Sequence, residues 1–385
     1  MNQKSSSFGA DAAALPIGPE YPWLAPLAGY SDLPFRMLCR EHGAAAACTE
    51  MISAKGLVLG QGGNSNASGE LLSTIPALPF PGRGGKGVLV LPDASVAACS
   101  DRPLVVQLFG AEADFLEEAV RILVDCGYRW FDLNMGCSVP KVGKSGAGSA
   151  MLCDEENVAA VARGMIRAAG PGRVGFKLRL GRQAGEATYL AVARRLEEAG
   201  AGWVTLHPRY ARQNFTGAAD WQAVVPLVEA LSIPVMVSGD LFTPEDGVRA
   251  LEETGAAGVM FARGAMQNPA IFEEFTALVR RGKGMASIAA GRMEDTGHLE
   301  SMIRRHMALI RGLYPVRCNR QGVEGGLLKM RTFVPRYVKH CVGAKQLRRG
   351  MASCASWSAM EELLEAFFND ASLLEPYREE GGLCG

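Results

Sequence analysis

The chain has 385 residues, 48% hydrophobic and 7% aromatic, with 40 Lys plus Arg balanced by 40 Asp plus Glu. That length suits one large α/β domain followed by a smaller one, and the apolar fraction supports an ample core. Zero formal net charge excludes a chain that is basic throughout, so any polyanion must be met by a local patch.

The first residues, MNQKSSSFGADAAALPIGPE, are polar and then Ala/Gly/Pro-rich, with no apolar core of a secretory signal. Residues 1–20 are expected to be a flexible N-terminus and the protein to be cytoplasmic. No apolar run reaches the ~18 residues that span a bilayer, so no membrane partner is expected. The ten cysteines include no C-x-x-C pair and no His/Cys cluster at zinc spacing, which predicts reduced thiols and no metal.

From Trp23 onward, short apolar runs alternate with helical patterns. The runs are WLAPLAG (23–29), AAACTEM (45–51), LVVQLFG (104–110), WFDLNMG (130–136), VGFKLRL (174–180), WVTLHPR (203–209), PVMVSGD (234–240) and GVMFARG (258–264). Unbroken apolar runs of this kind fit parallel strands buried on both faces. Between them, 112–127 carries a helical apolar stripe ended by Gly127, 154–170 opens on an Asp154 N-cap, and 243–258 opens on a Thr243 cap followed by Pro244. Eight strands with intervening helices predict a (β/α)8 TIM barrel over residues 21–283. No G-x-G-x-x-G follows any strand, which argues against an open dinucleotide-binding sheet. Residues 60–102, rich in Gly, Pro and Ser, form an insertion between the second and third strands.

Past Gly282 the pattern is helical only. Stripes at 298–313, 327–342 (with a kink at Pro335) and 357–368 predict a C-terminal all-helical domain over 290–378. Between Arg304 and Arg349 there are twelve Lys/Arg and one acid, Glu324. Such a surface attracts phosphate backbones.

Barrel enzymes place chemistry at the C-terminal ends of their strands. Those ends here carry Pro26, Leu27, Glu50, Met51, Gln107, Asn134, Cys137, Lys177, Arg179, His207, Arg209, Ser238, Gly239, Asp240, Arg263 and Gly264. Polar residues at nearly every strand end of an apolar barrel predict one shared site. The loops after the last two strands, VSGD and ARGAMQNP, stand where barrels hold a phosphate. Lys177 has two readings: a Schiff-base amine, or a fixed charge facing an anionic cofactor. His207 suits a donor to phosphate or ribityl oxygens, or a structural role. Cys137 follows a strand and precedes the Gly/Lys/Ser-rich PKVGKSGAGSAM.

The blocks LAPLAGYSDLPFRMLCREHGA, CTEMISAKGL, VVQLFG, DLNMGCSVPKVGKSGAGSAM, KLRLG, TLHPR, DW and SGDLFTPEDG…GVMFARGAMQNP, in this order, resemble the tRNA-dihydrouridine synthases. The similarity runs from about residue 23 to 280, and LLKMRTFVPRYVKH is similar, more loosely, to that family's RNA-binding domain. The resemblance implies a flavin barrel that reduces the C5=C6 bond of D-loop uridines in tRNA, with FMN as cofactor and NADPH as reductant. It places Pro26 and Leu27 behind the isoalloxazine, Gln107 on the ring, and Lys177 at its N1/O2 edge. His207 would serve the ribityl or phosphate region, and Ser238, Gly239, Asp240, Arg263 and Gly264 the phosphate. Cys137 corresponds to the catalytic cysteine, Asn134 and Arg179 to residues near the substrate base. Lys141, Lys329, Arg331, Arg336 and Lys339 are expected to meet tRNA. An ordinary thiol, near ~8.5, is protonated at neutral pH yet acidic enough to donate, which suits Cys137 as general acid.

Two positions depart from the family's usual pattern: Ser138 stands where proline is common after the cysteine, and Ser238 where asparagine is common. A monomer is expected. The competing readings are an FMN barrel reducing a free enone or pyrimidine, a Schiff-base lyase using Lys177, and a non-catalytic RNA-binding barrel. The basic helical domain favours tRNA over a small substrate.

Overall fold

The computed structural model describes residues 14–59, 101–281, 296–313, 323–324 and 326–369. Nearly all of the 60–102 insertion, the 282–295 junction and the ends of both expected terminal segments lie outside the described residues.

The eight expected strands close into a parallel barrel. They are β1 (Trp23–Leu24), β2 (Ala46–Cys48), β4 (Leu104–Phe109), β5 (Trp130–Met135), β6 (Val174–Arg179), β7 (Trp203–His207), β8 (Val235–Ser238) and β9 (Gly258–Phe261). A two-residue strand, β3 (Ile52–Ser53), continues the line of β2 and pairs higher on β4. Neighbours follow sequence order, and β1 pairs with both β2 and β9, completing the ring.

Strand alternation decides which side chains fill the barrel. Leu24, Val106, Leu133, Phe176, Leu206 and Val237 point outward into the large core shared with the helices. Trp23, Ala46, Val105, Trp203, Met236 and Met260 point inward and fill the lower barrel. Trp203 fits only because Gly175 faces it: a Cβ there would stand 1.9 Å from the indole. Leu15 is buried against this lower cluster, and the Trp23 indole donates to Pro16 O at 2.7 Å. Residues 15–18 are thus packed against the barrel, because Leu15 closes its lower end.

The helices of the barrel begin where the caps predict. Helix α1 is Leu33–Glu41, α2 Ala54–Val58, α3 Ala113–Asp125 and α4 the single turn Pro140–Gly143. Helix α5 (Glu155–Ala169) starts at Asp154, whose carboxylate accepts from Asn157 N at 3.0 Å, and stops at Gly170. Next come α6 (Tyr189–Glu198) and α7 (Val225–Ala230). Helix α8 (Pro244–Thr254) has a reciprocal cap, Thr243 accepting from Asp246 N and Asp246 from Thr243 N. Helices α9 (Arg263–Gln267) and α10 (Ile271–Arg281) finish the barrel.

Four helices form the second domain: α11 (Thr296–Leu313), α12 (Leu327–Tyr337), α13 (Ala344–Ser353) and α14 (Trp357–Asn369). Helix α12 ends two residues beyond Pro335, short of the expected 342. Helix α13 has no counterpart in the sequence reading, since it buries only Leu347 and Met351, too thin a stripe to register. The domain docks on α1. Phe35 packs on Phe333 with ring centroids 4.7 Å apart, and the buried His306 bonds the Tyr337 hydroxyl at 2.9 Å. Lys329 donates to Gly29 O and pairs with Asp32, while Arg305 pairs with Glu41. No described helix is long and apolar enough to cross a membrane.

Candidate active site

A cavity of about 960 Å³ opens at the C-terminal ends of the strands, walled by strand-end loops and roofed by α12 and α13. Pro26, Leu27, Gln107, Asn134, Cys137, Lys177, Arg179, His207, Ser238, Gly239, Asp240 and Arg263 all line it. Arg331, Arg336 and Lys339 line it from the helical domain. Gly264, Lys141 and Lys329 do not. Gly264 lies in the first turn of α9, where a Cβ would meet Leu241 O at 2.4 Å. Lys141 is exposed on α4, and Lys329 is spent on the docking contacts described above.

The floor is polar because residues two apart on adjacent strands share the inner face. Register sets Gln107 beside Asp132 and Asn134 beside Lys177. The Gln107 amide donates to Asp132 at 2.7 Å and accepts from Asn134 Nδ2 at 3.0 Å. Burial pushes the Asp132 carboxyl up and the Lys177 ammonium down, each partner's charge opposing the other's shift. The Lys177 ammonium makes no hydrogen bond and no ion pair within 4 Å among the described residues, and it lines the cavity. Buried Thr205 Oγ1, one strand over from Lys177, also lacks a partner.

Cys137 is held by its neighbours rather than by a base. Its N–H donates to Asn134 Oδ1 at 2.9 Å, and its carbonyl accepts from Ser149 N at 3.0 Å. Asn134 therefore fixes the start of the cysteine loop while also joining the floor network. The Ser138 hydroxyl donates to Asn214 Oδ1 at 2.8 Å, and Asn214 O accepts from Arg179 at 2.9 Å. The hydroxyl thus ties the loop after β5 to the loop after β7, a restraint that a ring at position 138 could not make. Burial, and then the charge of Arg209, pull Arg179 down to about 10, which leaves it cationic at neutral pH.

The opposite corner gathers positive charge. Arg209 is fully buried, donates to His207 Nε2 at 3.2 Å, and pairs with Asp240. Asp240 also accepts from Arg263 at 2.9 Å and from Ala219 N at 2.8 Å. Burial alone would raise this carboxyl, but those hydrogen bonds and the two guanidinium charges hold it below the usual carboxylate range. Asp240 is thus an anchor for arginines rather than a surface that an anion could touch. Burial first, and then the charges of Lys177, Arg179, Arg209 and Arg263, depress His207 far below its ordinary value, so the imidazole is neutral. Gly239 (φ +103) lies against it, where a Cβ would stand 2.4 Å from His207 Cδ2. The Ser238 hydroxyl donates to Met260 O at 3.0 Å.

Four further residues shape the cavity. Asp132 was legible in WFDLNM, since it is two residues from Asn134 on the same strand face. Phe215 and Phe242, 59% and 37% exposed, sandwich the Arg263 guanidinium at 4.6 and 4.8 Å. Tyr30 accepts from Arg336 at 2.9 Å and its ring lies under that guanidinium. The last three lie in loops or at loop ends, where no periodicity points to them.

The basic surplus of the helical domain divides in two. Arg304, Arg305 and Arg311 pair with Glu300, Glu41 and Glu361. Lys329 and Arg336 dock onto the barrel, and Arg331 donates to Cys354 O. Lys339, Lys345, Arg348 and Arg349 are exposed and form no ion pair among the described residues. Lys339 and Arg348 stand at the cavity opening.

A closed parallel barrel with a cationic, partly apolar cavity at its strand C-termini has the architecture of a (β/α)8-barrel enzyme. The family model described as "Dihydrouridine synthase (Dus)" matches residues 23–372. The chain is 30% identical over 351 residues to the "Probable tRNA-dihydrouridine synthase 1" of Synechocystis sp., covering 91% of this chain and 86% of the relative. It is 33% identical over 281 residues to the "tRNA-dihydrouridine synthase B" of Xanthomonas axonopodis pv. citri, covering 72% of this chain and 76% of the relative. The chain belongs to the dihydrouridine synthase family.

Proposed function

We propose that the protein reduces the C5=C6 bond of uridines in the tRNA D-loop, with FMN as resident cofactor and NADPH as reductant, working as a cytoplasmic monomer. One observation carries this reading: a barrel cavity fit for a flavin and the unpaired basic face of the helical domain share a single opening. A small-molecule reductase has no use for Lys339 and Arg348 at that opening.

The residues present fit the cofactor. An unpaired, buried ammonium at Lys177 suits the N1/O2 edge of the ring, where negative charge gathers. Pro26 and Leu27 supply an apolar wall, and the Gln107 amide belongs to the polar floor. Gly239 leaves room beside neutral His207, and Arg263 carries the positive charge for a phosphate. When bound, FMN supplies the hydride for uracil C6 and draws its electrons from NADPH.

The chain's own residues handle the rest. Uracil C6 is electrophilic through conjugation with the C4 carbonyl, and C5 must then gain a proton. Cys137 lines the cavity and, among the described residues, its Sγ has no base hydrogen-bonded to it, so its Sγ–H is placed to donate that proton rather than to attack. Asn134 and Ser138 position the loop, and Arg179, held on Tyr210 O and Asn214 O, keeps its remaining N–H groups for the uracil carbonyls.

The test is turnover of unmodified tRNA with NADPH, read by nucleoside mass spectrometry. Wild-type protein should form dihydrouridine, and Cys137→Ala should lose about 10²–10⁴-fold in rate while keeping its flavin absorbance. Unchanged product from the variant would refute the proton-donor role. Absence of product from the wild-type protein would refute the function itself.

A further inference from the structure

We propose that His42, Glu273 and His298 form a divalent-metal site of zinc type that clamps the first helix of the helical domain to the barrel. Two of only five histidines in the chain converge on one carboxylate. One potential ligand atom from each of the three residues lies within 4.8 Å of the other two. His42 Nδ1 is 3.1 Å from Glu273 Oε1, and the two imidazole rings lie edge to face with centroids 5.8 Å apart.

The backbone presents these groups from three directions. His42 caps the C-terminus of α1, Glu273 lies in the first turn of α10, and His298 in the first turn of α11. Close packing fixes the first two: a Cβ on Gly43 would stand 3.4 Å from the Glu273 backbone. Arg305, two helical turns after His298 and on the same face of α11, pairs with Glu41 beside His42. The third ligand is thus delivered by the helix that already docks on the end of α1. All three residues are half-buried, with 35% of the Glu273 side chain exposed, so the site is open enough to admit an ion.

Chemistry selects the ion. Two imidazoles and one carboxylate make a nitrogen-rich, borderline-soft set that suits Zn²⁺ or Co²⁺, whereas Mg²⁺ and Ca²⁺ take oxygen donors. Bonds of ~2.0–2.2 Å to a tetrahedral ion separate its donors by roughly 3.4 Å. The His42–Glu273 pair is already near that spacing, and small side-chain rotations would bring in His298. Water completes the fourth position. The ligands are 231 and 25 residues apart in the chain, so no spacing motif shows them. An ion here would bind only the docked arrangement and stabilise it in proportion to its occupancy.

The experiment uses the full chain, freed of metal by a chelator and then titrated with Zn²⁺ and separately with Co²⁺. One equivalent of each should bind, Zn²⁺ should raise Tm, and the Co²⁺ spectrum should be that of a nitrogen/oxygen site without a thiolate charge-transfer band. His42→Ala and His298→Ala should each weaken binding by about 100-fold or more and abolish the rise in Tm. Glu273→Gln keeps the side chain's shape, so it should hold the metal-free Tm while losing the metal effect. Cys137→Ala should bind like wild type. Binding weaker than about 100 μM, a thiolate-dominated spectrum, or unchanged affinity in the three ligand variants would each overturn the site.

Discussion

Gly239→Ala puts the phosphate corner of the cavity under a measurable load. At φ +103 an alanine Cβ is strained whatever its surroundings, which costs about 1–2 kcal/mol. The Cβ would also stand 2.4 Å from His207 Cδ2 and 2.9 Å from Nε2, so the ring must retreat by about 1 Å to reach ordinary contact. It has little room, because Arg209 holds Nε2 at 3.2 Å and Phe215 stacks on the ring at a centroid distance of 6.2 Å. Overpacking of that kind costs about 1–3 kcal/mol, for a total of roughly 2–5 kcal/mol. At ~2–4 °C per kcal/mol, thermal unfolding should shift down by about 4–20 °C, and FMN affinity should fall as His207 moves. Gly217→Ala is the control: its φ is +63, but the nearest atom to a new Cβ is Gln213 Nε2 at 3.4 Å, so only the backbone cost of about 1–2 kcal/mol applies. Equal losses of Tm and of flavin affinity in the two variants would refute the steric reasoning.

Two other perturbations separate the roles of the helical domain. Lys339→Glu combined with Arg348→Glu should weaken tRNA binding about 10–100-fold near 0.1 M salt and flatten its salt dependence, with Tm and flavin content unchanged. Unaltered affinity in a filter-binding titration would return those charges to a merely solvated face. Arg331→Glu should instead lower Tm, because this guanidinium donates to Cys354 O inside the domain. Acid should loosen the docked helices through His306. Burial is the main cause that depresses this imidazole to about 4, with Asp32 opposing and Lys329 assisting. The unfolded chain titrates near ~6.5, so this contribution to stability is complete above that pH. It is lost as pH falls toward 4, by up to roughly 3 kcal/mol. His306→Phe should show a shallower fall in unfolding free energy between pH 7 and 4.5, and an identical slope would show that His306 carries none of the pH dependence.

The strands and the three capped helices were legible because their signals are local. Apolar runs, Asp154, Thr243–Pro244 and the closing glycines each act within one turn of chain. Most of the cavity was legible for a related reason: once the fold is a parallel barrel, the C-terminal end of every strand lies on one rim. The basic run from Arg304 to Arg349 was visible as composition, but its division was not. Which cations dock on the barrel and which stay unpaired depends on where Glu41, Tyr30 and Asp32 stand, hundreds of residues away.

By itself, the sequence determined the barrel, the second helical domain and the set of groups brought to the rim, since strand alternation and helical periodicity leave few other ways to bury these side chains. Only the tertiary structure decided what each polar group faces. Asp240 binds two arginines, Ser238 spends its proton on Met260 O, Asn134 holds the backbone of Cys137, and Lys177 makes no hydrogen bond among the described residues. Hydrogen bonds and ion pairs are satisfied in three dimensions by whichever partner the packing brings within reach, and no spacing along a chain records that.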